Sequence, residues 1–216
     1  MSQHLIDLLF TNLQTIVHFI QQQLAERIIT ILEEDEYTPM TVNDQKELDG
    51  VIDILGSVMK HVEGGKLIRN FPQTLPFTKG FVSIVDLIKK FIRMFYKFSE
   101  GFKTQSQELD DVLRKALEMV LGTNLNEVYV EKLSQTNLSQ SVQIILNLEF
   151  LELSCEELIE LINEIQTKYA IYGCHFNMLL NKEIVEMADE FNGFRWVRPR
   201  YSSKVGGLER CEYSRL

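Results

Sequence analysis

Along the first part of the chain, apolar side chains recur at steps of three and four. Leu5, Leu9, Leu13, Ile16, Ile20, Leu24, Ile28 and Ile31 draw one face of a continuous helix over about residues 2–33. At about 1.5 Å per residue such a helix is on the order of 45 Å long. It stops in the acidic run 33–36 and at Pro39. A second helix is predicted to start near Thr41 to Asp44, whose Thr-x-x-Asp spacing can satisfy the free amides of a first turn. It runs to about Val62, before Gly64 and Gly65. Residues 66–77, with Pro72 and Pro76, then read as a loop.

Beyond that loop Phe81, Ile84, Val85, Ile88, Phe91, Ile92, Phe95 and Phe98 form a broad apolar face, too wide to be left in water. Asp86, Lys90, Arg93 and Lys97 line the opposite side. Gly101 and the polar stretch 103–107 interrupt the pattern. It resumes through Leu109, Val112, Leu113, Ala116, Leu117 and Val120, so this stretch is a joint between helical segments or a bend within one. The helix ends at 122–126, a shorter one covers about 125–135, and a further one begins near Asn137 or Ser139 and continues through Ile165. Ser154, with Glu157 three residues on, offers a possible restart. A last helix is predicted over about 171–191.

No strand-like alternation of useful length is present, so the fold class expected is all-α, an elongated helical bundle or rod. Its expected organisation is a helical pair at 1–65, a proline-containing loop at 66–77, a bundle region at 78–192 and a disordered basic tail at 193–216. From residue 195 onward that tail carries six basic and two acidic residues, a Gly-Gly pair and no helical stripe.

A formal charge of −9 over 216 residues changes the picture of possible partners. Phosphate neutralisation needs a clustered basic surface, so a general nucleic-acid binder is excluded and any anionic partner must be met locally. No apolar run reaches the ~18 residues of a membrane span, and the start lacks the basic stretch and apolar core of a secretory leader. A cytosolic chain is expected. Cys155, Cys174 and Cys211, odd in number and without motif spacing, suit free thiols in a reducing compartment.

Candidate chemistry is thin. His4, His18, His61 and His175 are scattered, and Cys174 with His175 lacks the second pair a tetrahedral zinc site needs, so no metal is expected. Asp110 with Asp111, and Glu156 with Glu157, are adjacent on helices and point about 100° apart, which prevents convergence on one substrate atom. No phosphate-binding glycine loop or nucleophile elbow is present. Neither enzymatic activity nor a cofactor is expected. One face stands out: Lys89, Lys90, Arg93 and Lys97 back the apolar stripe of an otherwise acidic chain. They read either as an ordinary solvated face or as a surface for an acidic partner or an anionic membrane.

Three stretches, "FVSIVDLIKKFIRMFYKFSE", "ELDDVLRKALEMVLGTNLNEVYVEKL" and "LSQSVQIILNLEFLELSCEELIELI", carry a resemblance together. The Lys-Phe-Ser-Glu step at 97–100, the acidic pair and Leu-Arg-Lys step at 110–115, the Leu-x-x-x-Val-Gln-Ile-Ile pattern at 138–145 and the step ending at Cys155 follow one another in the order found in the Sec-fifteen family, the Rab-effector subunits of the exocyst. The resemblance is best over 78–165 and is that of an internal piece of a longer protein. It implies rods of packed helical bundles that hold secretory vesicles at the plasma membrane before fusion. The implied partners are the other exocyst subunits and, for the full-length family, a GTP-loaded Rab. The family's Rab surface lies further toward the carboxyl end, so no Rab-contact residue is assigned here. A cytoplasmic protein recruited to vesicles and to plasma-membrane sites of exocytosis is expected. After about residue 190 the sequence leaves the family pattern. A second hypothesis is a helical adaptor that binds an anionic membrane surface through Lys89 to Lys97, with Arg195, Arg198 and Arg200.

Overall fold

A computed structural model describes residues 3–65, 70–99 and 106–168. The expected helix at 171–191 and the tail lie outside the described residues, as does the joint at 100–105. Within them the chain is an all-α bundle. Helix α1 (Gln3–Glu34) and helix α6 (Leu138–Lys168) are the longest elements, of 32 and 31 residues. At 1.5 Å per residue each is on the order of 47 Å long.

The carboxyl end of α1 is closed by Tyr37, which stands in the left-handed region at φ 51°. Its N–H donates to Asp35 Oδ1 at 3.0 Å, and its hydroxyl reaches back to donate to the Leu32 carbonyl at 2.8 Å. That satisfies one of the carbonyls a helix end leaves free. Strand β1 (Thr41–Val42) follows, and helix α2 (Gln45–Leu55) starts one step later than the sequence suggests. Asp44 is its cap, accepting from the Glu47 N–H at 2.9 Å, while Thr41 is spent on the strand.

The helix expected to reach Val62 ends at Leu55. At Gly56 φ turns to +53°, and a 3-10 stretch (Gly56–Gly65) replaces it. A Cβ at Gly56 would overlap the Glu157 carboxylate of α6, so the break falls where two segments approach closely. The expected loop at 66–77 is also partly structured. Strand β2 (Gln73–Thr74) pairs antiparallel with β1, Thr41 opposite Thr74. Leu75 N–H donates to the Met40 carbonyl at 2.7 Å, and Met40 N–H donates to the Phe77 carbonyl at 2.8 Å. This short ladder places Val42, Leu75 and Phe77 fully in the core.

Helix α3 (Lys79–Ser99) is the central element, packed against α1, α2 and α6. Thr78 caps it, its hydroxyl accepting from the Phe81 N–H at 3.2 Å. Helix α4 (Ser106–Glu118) does not stop at Gly122 as the pattern implies. A π-helical turn (Met119–Asn124) carries the chain into helix α5 (Leu125–Gln135), with Leu125 N–H donating to the Val120 carbonyl. The extra residue in that wide turn rotates the apolar stripe so that Val120, Leu121, Leu125 and Tyr129 all face inward. Asn137 starts α6, its Oδ1 accepting from the Gln140 N–H at 3.0 Å. No restart occurs at Ser154, whose hydroxyl donates back to the Phe150 carbonyl within the same helix.

One connected core of buried side chains runs from Val17 on α1 to Ile162 on α6, so the stretches on either side of residues 66–77 share it. Phe77, Phe81 and Phe150 join β2's exit, α3 and α6, with ring centroids 5.2 to 6.3 Å apart.

Candidate interaction surfaces

α3 supplies the first candidate. The structure divides the four cations that the sequence places together. Lys90, Arg93 and Lys97 stand exposed along the outward side. Lys89, next in sequence to Lys90, is turned by about 100° into the core and is 4% exposed. Its Nζ lies 2.9 Å from Glu157 Oε1. The same carboxylate accepts at Oε2 from the Ser57 N–H at 2.9 Å and the Ser57 hydroxyl at 2.7 Å. Burial works against the charge of Glu157. The two Ser57 donors and Lys89 together outweigh it and hold the carboxyl below the ordinary glutamate range. Lys89 is therefore a joint between α3, α6 and the 3-10 stretch and has no place on a docking face.

A second polar joint lies deeper. Thr78, Gln143 and Asn147 are buried among apolar neighbours. The Thr78 hydroxyl donates to Asp35 Oδ2 at 2.5 Å and accepts from Asn147 Nδ2 at 3.0 Å, while Thr78 N–H donates to Asn147 Oδ1 at 3.1 Å. Gln143 Nε2 donates to the Pro76 carbonyl at 2.8 Å. Sequence reasoning missed both joints. The available signal was a Gln and an Asn four residues apart on the apolar stripe of α6, a placement that requires buried partners.

The carboxylate pairs diverge. Asp110 accepts from Gln166 Nε2 at 3.2 Å whereas Asp111 pairs with Arg114 at the surface; Glu156 is exposed while Glu157 turns inward. His18 and His61 are exposed on separate elements. His175, Cys174, Cys211 and the tail arginines Arg195, Arg198 and Arg200 lie outside the described residues. Among the described residues no group of three or more His, Cys, Asp or Glu side chains is placed to hold a metal ion. A shallow, open depression over Glu160, Asn163, Glu164 and Thr167 follows one face of α6. It lacks the enclosing apolar walls of a small-molecule site.

Apolar side chains are exposed elsewhere on the bundle. Ile16 and Phe19, 44% and 62% exposed, stand one turn apart on α1. Nearby, Gln21 Nε2 donates to Met119 Sδ at 2.8 Å, and Met119 is itself half exposed. Leu138 and Val142 make a second apolar pair on the first turns of α6. Exposed apolar side chains a turn apart on helices are suited to helix-on-helix docking.

The description "Exocyst complex subunit Sec15 C-terminal" matches residues 4–185, a wider stretch than 78–165 and one that takes in every described element. The chain belongs to the exocyst Sec15 family. Human exocyst complex component 6 is 30% identical over 163 residues, covering 74% of this chain and 20% of that protein. Mouse exocyst complex component 6B is 32% identical over 137 residues, 62% of this chain and 16% of that protein. Exocyst complex component SEC15A of Arabidopsis thaliana is 29% identical over 135 residues, 61% of this chain and 16% of that protein. The matched part spans about a fifth of the length of these relatives. No solved structure matches the chain. Membership of the Sec15 family agrees with the helical bundle. No helix among the described residues is long and apolar enough to cross a membrane.

Proposed function

We propose that this chain serves exocytosis as a helical, non-catalytic part of the exocyst, helping to hold secretory vesicles at the plasma membrane through contacts with the other exocyst subunits. The observation that carries the reading is the family match over 4–185, which coincides with the helical bundle from α1 to α6. The energy of assembly comes from apolar side chains left at the surface, Ile16, Phe19, Leu138 and Val142 among them. In this reading the protein works at the cytoplasmic side of vesicles and of plasma-membrane sites of exocytosis. Affinity purification of the tagged chain from cells of its own source, with mass spectrometry of co-purifying proteins, tests it. Other exocyst subunits are expected. A soluble, folded chain that recovers none of them refutes the assembly role.

The alternative, an adaptor on an anionic membrane, rests on Lys90, Arg93 and Lys97 once Lys89 is turned inward. Lys90 is already paired with Asp86 at 2.6 Å, which leaves Arg93 and Lys97 as the two cations a bilayer would meet. Unchanged binding of Lys90→Glu/Arg93→Glu to anionic liposomes rules it out.

A further inference from the structure

The outer face of α6 carries one row of side chains at steps of three and four. It opens with Leu138 and Val142, 69% and 46% exposed, and the half-buried Ile145. Past the half-buried Glu149 it continues through Glu152, Glu156, Glu160 and Glu164, of which the last three are exposed. From Leu138 to Glu164 the row is about 39 Å long. The other side of the helix is spent on the core, where Ile144, Leu148, Leu151, Leu158 and Ile162 are buried.

The acidic part of the row is uncompensated. Glu152, Glu156, Glu160 and Glu164 have no ion-pair partner among the described residues, and α6 holds no lysine or arginine before Lys168. Like charges four residues apart oppose a helix, so each successive pair along the row works against the element that carries it. Neighbours on a helix face are roughly 5–6 Å apart, inside the ~8 Å screening length of physiological salt. A cationic partner that follows the same spacing relieves this repulsion and gains an attraction at every step.

Other occupants match the face less well. The carboxylates are strung along the helix instead of gathered, and among the described residues no group of acidic side chains is placed to hold a metal ion. The depression over Glu160, Asn163, Glu164 and Thr167 is open, a form that receives side chains better than a small molecule. A nucleic acid or an anionic bilayer is repelled. A second copy brings the same net charge of −9, and Lys90 of its α3 is already held by Asp86. An apolar start and an acidic remainder on one helix face call for the converse, apolar residues at one end of a helix and cations along the rest.

We propose that the outer face of α6 is a docking surface for a basic amphipathic helix of another protein, with apolar side chains over Leu138 and Val142 and lysines or arginines at steps of three and four against Glu152, Glu156, Glu160 and Glu164. The proposal rests on the exocyst reading in taking the partner from that assembly, and adds the chemistry by which the partner is recognised. Its test uses no exocyst subunit, so the two can fail separately.

The probe is a dye-labelled synthetic helix of alanine, leucine and lysine. Leucine occupies one end of a single face and lysine the rest of that face at steps of three and four, and the peptide is made in both sequence directions. Fluorescence anisotropy reads its binding to the purified full chain. One direction is expected to bind at least about tenfold more tightly than a scrambled peptide of the same composition, and to weaken as salt rises. Glu156→Lys/Glu160→Lys should lose about tenfold in affinity for the lysine helix and accept a glutamate version of it instead. Leu138→Ser/Val142→Ser should weaken binding by about as much and leave its salt dependence in place. All four substituted positions are exposed, so thermal melts of both variants should stay at or above the wild-type midpoint. Absence of binding overturns the proposal, as does equal binding of the scrambled peptide or lysine-helix binding that Glu156→Lys/Glu160→Lys leaves unchanged. Self-association of the wild-type chain that Leu138→Ser/Val142→Ser abolishes also overturns it, because a second copy is then the occupant.

Discussion

The Lys89–Glu157 pair allows a prediction in which the two halves of one ion pair have unequal worth. The Lys89 side chain is 5% exposed and Glu157 is its sole ion-pair partner among the described residues, whereas the Glu157 side chain is 18% exposed and keeps two further donors on Ser57. Glu157→Gln strands a buried ammonium against an amide. Removing one partner of a buried pair costs about 3–5 kcal/mol, and partial water access to Glu157 points to the lower end, about 3 kcal/mol. Lys89→Met removes the charge together with its need for a partner. It leaves Glu157 bonded to Ser57 and in reach of water, and puts apolar surface into an apolar site. Its expected cost is about 1 kcal/mol. With a urea m-value of roughly 2–3 kcal/mol per molar for a chain of this size, Glu157→Gln moves the unfolding midpoint down by about 1 M or more and Lys89→Met by less than about 0.5 M. Urea titration followed by far-ultraviolet circular dichroism reads both. A Lys89→Met midpoint as low as that of Glu157→Gln would refute the asymmetry and with it the view that Ser57 holds the carboxylate.

The same carboxylate sets an acid limit. Its folded-state pKa lies below the unfolded value of about 4.3, so its stabilisation is full above that pH and is lost as pH falls through the folded value. The midpoint gap between wild type and Glu157→Gln should therefore narrow from pH 7 to pH 3; an unchanged gap sinks the linkage. Three glycines should separate by sign in thermal melts. Gly50→Ala on the exposed side of α2 meets nothing within 4 Å and should stabilise by about 0.5–1 kcal/mol, while Gly56→Ala and Gly80→Ala should destabilise because their Cβ atoms run into Glu157 and Asp35. Cys155 is fully buried, and burial with Glu152 and Glu156 nearby pushes its thiol up to about 12. In native buffer it should react with a disulfide reagent only as fast as the protein unfolds, and prompt labelling at Cys155 contradicts its placement.

The helical part of this fold was legible because its signal is periodic and local. The buried positions of α3 include Phe81, Ile84, Val85, Ile88, Phe91, Ile92 and Phe95, as their spacing requires. The buried stripe on α1 departs from the simple spacing: Val17, Gln21 and Leu32 are buried where Ile16 is exposed, because a stretch this rich in apolar residues has more than one apolar face. What escaped is non-local. The end of α2 at Leu55 depends on Glu157, about a hundred residues away, and the β1–β2 ladder depends on residues 40–42 and 73–77 meeting across the core. The basic row was read from sequence adjacency, which cannot say that Lys89 alone faces a carboxylate on α6. The candidate surfaces were half legible for a related reason. Cationic and apolar residues are visible in the sequence, but which of them the packing leaves outside is a property of the whole bundle.

If stability comes from the core and assembly from the residues left outside it, the two should separate on mutation. Phe19 is 62% exposed and Ile16 44%, so folding alone recovers less than half of the burial energy that a core aromatic gains at Phe19 and only a little over half of that of a core isoleucine at Ile16. A fully buried side chain of this kind gains about 1.5–3 kcal/mol, so a partner that covers both could draw about 2–3 kcal/mol from them, roughly 30- to 140-fold in affinity. Ile16→Ser/Phe19→Ser should accordingly leave the thermal midpoint within a few degrees of wild type while sharply reducing recovery of other exocyst subunits. Thr78→Val should do the reverse to stability. It deprives Asp35 of its short hydroxyl bond and Asn147 of an acceptor inside the core, at a cost of about 2–4 kcal/mol. The paired measurement discriminates because surface and core were distinguished by exposure alone. A chain in which Ile16→Ser/Phe19→Ser unfolds and yet keeps its partners while folded would place α1's outer face in the core, and would remove the physical basis for assembly through it.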